Sequence, residues 1–167
     1  MRAPIRACLV PVFLALAMTA LAPATRAATP EHGIDWLSYR EGKAKALESG
    51  QLLLLNFTAD WCIYCRKMKK ETYTDPAVIA YVQEHFVPVM VDTQREQRIA
   101  AEFYVRGLPT MWFLTSDGQR ITNLPGYVDA PMFLKVLRYI ASGSYEQMDF
   151  KTFLDAEGTS TGGDKDG

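Results

Sequence analysis

The sequence predicts an α/β fold, a central mixed β-sheet flanked by helices. Three observations lead there. Leu52–Phe57 and Val87–Val91 are continuous apolar runs of strand length, suited to strands covered on both faces. Segments with helical spacing of apolar residues lie between and after them. Two further strand-like runs, Pro109–Thr115 and Gln119–Leu124, flank Ser116-Asp117-Gly118, a hairpin turn signal.

In chain order, Ile34–Tyr39 reads as a short strand or a loop. Arg40–Ser49 is rich in helix formers and stops at Gly50, a residue suited to a helix C-terminus. Leu52–Phe57 is the first buried strand. A helix begins at Cys62 and breaks near Thr74, because Asp75-Pro76 starts a new one with Asp as N-cap and Pro in the first turn. Val78, Ile79, Val82 and Phe86 share one face of that second helix. Val87–Val91 is the next strand, and Gln94–Tyr104 a helix with Ile99, Ala100 and Phe103 on one side. After the hairpin, Gly126 ends the strand and Asp129 caps a long helix with a stripe of Phe133, Val136, Leu137 and Ile140. Ser144–Ala156 adds a docking helix through Phe150, Phe153 and Leu154. The order is βαβαβαββα. Crossover helices imply parallel strands, and the hairpin adds an antiparallel edge.

The ends read differently. Arg2 and Arg6 precede an apolar stretch, Cys8–Ala22, and Thr25-Arg26-Ala27 offers a small-residue cleavage site before Ala28. Residues 1–27 therefore read as a secretory signal peptide, with an uncleaved membrane anchor facing the periplasm as the alternative. Residues 28–33 read as a flexible lead and 158–167 as a disordered tail rich in Gly, Ser, Thr and Asp. The chain of 167 residues is 49% hydrophobic, enough for one domain with a core. Its net charge is −1, and loss of Arg2, Arg6 and Arg26 with the leader takes it to −4, so no basic excess suggests nucleic acid.

With the leader removed, two cysteines remain, in Trp61-Cys62-Ile63-Tyr64-Cys65. The pair sits where a buried strand ends and a helix begins. The first turn of a helix offers unpaired N–H groups and partial positive charge, which favour the reactive thiolate. A dithiol–disulfide redox site is the reading this supports. Zinc needs four ligands, and the two histidines, His32 and His85, do not form a pair. Haem attachment needs His after the second Cys, where Arg66 stands. A structural disulfide over so short a loop adds little stability. Arg66, Lys67, Lys69 and Lys70 read as a solvated helix face, and Met111, Trp112 and Phe113 as strand core.

These motifs resemble the thioredoxin family. Ala59-Asp60-Trp61-Cys62-Ile63-Tyr64-Cys65 follows a buried strand, and Arg106-Gly107-Leu108-Pro109-Thr110 precedes a later one, in that family's order and separation. The resemblance spans about Ile34 to Ser142 and is greatest to exported members, the C-terminal domain of DsbD and SoxW-type thioredoxins. It implies a three-layer thioredoxin-like sandwich, here residues 34–157 with a C-terminal extension. It further implies that Cys62 is the exposed attacking thiol and Cys65 the resolving one, as a redox-active disulfide. Pro109 matches the family's cis-proline. Leu108 would offer backbone groups to an extended client, and Trp61 would flank and shield the site. Tyr64, between the thiols, reads either as a client contact or as a surface aromatic.

The implied activity is reduction of oxidised client proteins outside the cytoplasm, in the periplasm. A membrane electron donor of DsbD or CcdA type would restore the dithiol, with no metal or organic cofactor, and the chain would act as a monomer. An oxidase or isomerase of exported proteins, or a non-catalytic binding module, are the alternatives. The chain departs from the pattern at Ile63-Tyr64, which replaces Gly-Pro, and at Asn56, where many relatives hold a buried Asp. An amide takes no proton in the working pH range, so Asn56 keeps that position polar but neutral.

Overall fold

The computed structural model describes residues 33–160. The expected leader, nearly all of the expected lead and residues 161–167 of the expected tail lie outside the described residues.

Ser38 opens α1 (Tyr39–Ser49) with a capping box: Glu41 N–H donates to the Ser38 hydroxyl, and the Glu41 carboxylate accepts from Ser38 N–H. The Ser38 hydroxyl also donates to the Glu41 carboxylate, and that bond first, then the one from Ser38 N–H, lowers the Glu41 pKa. Gly50 closes the helix at φ 74°, a conformation that favours glycine. β1 (Leu52–Thr58) follows, then α2 (Ile63–Glu71) and α3 (Pro76–His85). Asp75 caps α3 by accepting from Ala77 N–H and Val78 N–H, while the Thr72 hydroxyl donates to Val128 C=O across the break between α2 and α3. β2 (Phe86–Asp92), α4 (Gln97–Glu102), β3 (Thr110–Leu114), β4 (Arg120–Pro125) and α5 (Ala130–Ala141) complete the sandwich. A 3-10 turn (Ser144–Glu146) leads to α6 (Phe150–Ser160). The Tyr139 ring packs against Phe150 and Phe153 and so docks α6 on α5. α6 continues past 158, where the tail was expected to start.

The sheet order is β2-β1-β3-β4, with β1 central. Alternation along β1 sends Leu53, Leu55 and Phe57 to one face, with Ala46 of α1 and the α4 neighbour Phe103. Leu54 faces the other way, against Met68 of α2, Val78 and Val82 of α3, and Phe133 and Leu137 of α5. The three layers are therefore α1 and α4, the sheet, and α2, α3 and α5. This is the expected mixed sheet between helices.

Three further details differ from the sequence expectation. Ile34–Tyr39 contributes only an isolated parallel bridge, Leu37 to Val89. The expected helix from Gln94 to Tyr104 shortens to Gln97–Glu102. Asp92 gathers the backbone N–H groups of Gln94, Arg95 and Glu96 into a turn, and Tyr104 ends the segment at φ 53°. Thirdly, β1 and β2 are parallel, but β3 runs antiparallel to β1, so the antiparallel part is not confined to the hairpin. The short helix explains the third difference. Six helical residues rise about 9 Å, against about 23 Å for a seven-residue strand. α4 therefore does not carry the chain back along the sheet. β3 starts at the end where β1 finishes, with Thr110 beside Phe57.

Gly42 lets α1 lie close on β2. A Cβ there would stand 2.0 Å from Cγ2 of the fully buried Val89. Gly42→Ala should destabilise the fold by about 1–2 kcal/mol in urea titration, overpacking outweighing the helix-propensity gain. Adding Val89→Ala should recover the steric part, giving a favourable coupling between the two sites. A stabilising Gly42→Ala would show that α1 does not pack at this distance.

Candidate active site

Three chain segments meet beyond the carboxyl end of β1. The first carries the cysteines. Cys62 is the N-cap of α2, with extended backbone angles, and its Sγ accepts from Cys65 N–H at 3.1 Å. Cys62 and Cys65 form a disulfide with a Cα–Cα distance of 5.2 Å. One of the orphan N–H groups of the helix start thus points at the Cys62 sulfur, which is what would hold a thiolate once the bond opens. The Arg66 guanidinium reaches back to donate to Asp60 C=O at 2.6 Å, tying the first turn of α2 to the loop before it.

Cys62 is not exposed as the resemblance implied. It is 3% exposed and Cys65 6%. Its sulfur is engaged by the Cys65 N–H and by the bond to the Cys65 sulfur. The surface around the pair belongs to Trp61, Ile63 and Tyr64, at 65%, 70% and 60% exposed.

The second segment enters β3. The Leu108–Pro109 peptide is cis. Gly126 N–H donates to Pro109 C=O at 2.8 Å, and the Thr110 hydroxyl donates to Gly107 C=O. The third segment leaves β2, where Thr93 N–H donates to Thr58 C=O at 2.9 Å.

Two cavities flank the start of α2. One, of about 390 Å³, lies between Trp61 and α4 and is lined by Leu108, Val105, Arg106, Ala100 and Thr93 among others. The other, of about 620 Å³, joins Cys65 to Asn56, Met90 and Tyr73, with Arg66, Lys69 and Lys70 at its rim. Burial raises the pKa of the Tyr73 phenol, and its hydroxyl donates to Met68 Sδ at 3.8 Å. Asn56 is 4% exposed, and its Oδ1 is closed off from solvent with no hydrogen-bond partner.

The fold thus brings Trp61 and Leu108 into one cleft and Asn56 and Cys65 into another. Tyr64 lines neither of these two cavities. Sequence reasoning missed Thr93, Gln97, Met90 and Arg106 as lining residues. Thr93 and Gln97 carry one usable signal, their place just past the carboxyl end of a strand, where α/β folds gather binding groups. Among the described residues no cluster of His, Cys, Asp or Glu suits a metal ion.

The Cys62 cap predicts unequal thiols. With the protein reduced, iodoacetamide at neutral pH should modify Cys62 at least about tenfold faster than Cys65, because only Cys62 receives the helix N–H and the thiolate is the nucleophile. Peptide mapping after partial alkylation measures the ratio. Equal rates would show that the cap does not survive reduction.

A family model described as a thioredoxin-like domain matches residues 39–141. The thiol:disulfide interchange protein DsbD of Vibrio vulnificus is 34% identical over 105 residues, covering 59% of this chain and 18% of DsbD. The chain therefore spans about a fifth of that relative's length. In structure, the DsbD C-terminal domain of Neisseria meningitidis, in its reduced form, superposes with a TM-score of 0.51 at 30% identity, over 59% of this chain and 90% of that one. A thioredoxin from Thermus thermophilus gives 0.60 at 28%, over 65% and 87%. A DsbH oxidoreductase gives 0.61 at 20%, over 75% and 96%, a likeness of fold alone. On the family match and this shared architecture, the chain belongs to the thioredoxin-like family.

Proposed function

We propose that this chain is a thiol:disulfide oxidoreductase that reduces disulfides of exported client proteins in the periplasm. The observation that carries the reading is the Cys62–Cys65 disulfide at the start of α2, with the Cys65 N–H on the Cys62 sulfur. In the dithiol form, the Cys62 thiolate attacks one sulfur of a client disulfide. The client's other sulfur leaves as a thiolate and takes up a proton. Cys65 then loses its proton and attacks Cys62 Sγ, which closes the Cys62–Cys65 bond and expels the second client thiolate. Two electrons pass to the client.

Trp61, Tyr64, Leu108 and Pro109 form the client-binding face in this reading. The Pro109 carbonyl is already held by Gly126, so the backbone groups of Leu108 are those that pair with an extended client segment. The cleft between Trp61 and α4 takes a client side chain beside it. The periplasmic location rests on the leader expected at residues 1–27. No helix among the described residues is long and apolar enough to cross a membrane. The electron source we propose is a membrane carrier of DsbD or CcdA type, consistent with the likeness to DsbD.

Direction is set by the potential. Tyr64 offers no positive charge to the Cys62 thiolate, which leaves the helix start as its main stabiliser. Equilibration with glutathione should therefore give a potential of about −200 mV or lower, nearer to thioredoxin than to the oxidant DsbA. A value near about −120 mV would turn the assignment to an oxidase.

A further inference from the structure

The buried Asn56 oxygen is an anomaly of the disulfide form. It lies in the central strand, on the face that α2 covers, and both its strand partners, Met90 and Met111, carry thioethers with no proton to give. The Tyr73 hydroxyl, in the same cavity, is committed to Met68 Sδ, and the Arg66 guanidinium donates to Asp60 C=O. A buried acceptor without a donor is costly, and native folds rarely keep one without a reason. Cys65 lines the same cavity, and its sulfur has no hydrogen while it is bonded to Cys62.

Reduction changes that. It breaks the Sγ–Sγ bond with two electrons and two protons, and one proton goes to Cys65. We propose that Asn56 Oδ1 accepts a hydrogen bond from the Cys65 thiol, so that this bond exists only in the dithiol form and biases the couple towards it. Asn56 is then a positioning residue that holds the Cys65 proton until resolution begins. The amide itself takes no proton, so at resolution that proton leaves to water or to the departing client thiolate. The oxygen is unsatisfied when the site is oxidised and satisfied when it is reduced. An apolar residue of similar size would remove both the cost in one form and the gain in the other. This inference rests on Cys62 and Cys65 being a redox couple, but not on the direction in which the couple works.

The test uses the full chain and two readouts. Equilibration with glutathione, in which two thiols supply the electrons and protons and leave as one disulfide, compares wild type with Asn56→Leu. The variant should favour its disulfide about tenfold more, which is a potential about 30 mV lower. A wild type that exchanges, with both potentials equal or the variant's higher, overturns the inference and leaves the proposed function standing. A wild type that never exchanges with glutathione overturns both. The second readout needs no change at Asn56. The infrared S–H stretch of Cys65 in Cys62→Ser, isolated by subtracting the Cys62→Ser/Cys65→Ser spectrum, should lie below the frequency of a non-bonded thiol. A band at the non-bonded frequency overturns the inference even if Asn56→Leu does not fold.

Discussion

The hydrogen bond from Cys65 N–H to Cys62 Sγ is the contact on which the site depends. It exists because Cys62 is not inside α2 but at its cap, where backbone donors lack partners within the helix. A serine or aspartate commonly fills such a position for stability. Here a sulfur fills it, so the same N–H would stabilise negative charge on that sulfur once the disulfide opens. The spacing follows from the same geometry. The residue three after the cap both donates its N–H and, one turn into the helix, places its own sulfur within bonding reach.

Around that contact, the fold supplies rigidity from below and a binding edge from the side. β1 is paired on both sides and buried on both faces, so the loop that carries Trp61 and Cys62 starts from a fixed point. The short α4 matters as much. Because it does not carry the chain back along the sheet, β3 begins beside the end of β1, and Leu108 arrives in one cleft with Trp61, the residue before Cys62, rather than at the far edge. The antiparallel pairing of β1 with β3 is thus a condition for the site as well as a feature of the topology.

Much of this was legible in the sequence, for reasons tied to particular residues. Leu52–Phe57 is too uniformly apolar to be anything but a buried element. Asp75-Pro76, Gly50 and Asp129 mark helix ends by local chemistry that tertiary structure rarely overrides. The motifs that carry the resemblance single out Cys62, Cys65 and Pro109, and the fold joins the two cysteines and makes the Leu108–Pro109 peptide cis. Less legible was whatever depends on where elements go after they form. Nothing local in Gln94–Tyr104 announces that Asp92 will draw its first residues into a turn, and the direction of β3 follows from that turn. The burial of Cys62 escaped for a similar reason, since exposure is set by what engages the sulfur in the folded chain. The state of Asn56 was half visible. A lone amide in an apolar run invites attention, but only the strand register shows that its neighbours are two methionines without a donor.

If Cys62 attacks a client disulfide and Cys65 releases the product, removing Cys65 should trap the intermediate. Cys65→Ala should accumulate covalent conjugates of this chain with exported proteins, joined through Cys62 and released by dithiothreitol, and Cys62→Ala/Cys65→Ala should show none. Conjugates that persist in the double variant, or a Cys65→Ala protein that traps nothing while its Cys62 remains open to alkylation, would contradict the account.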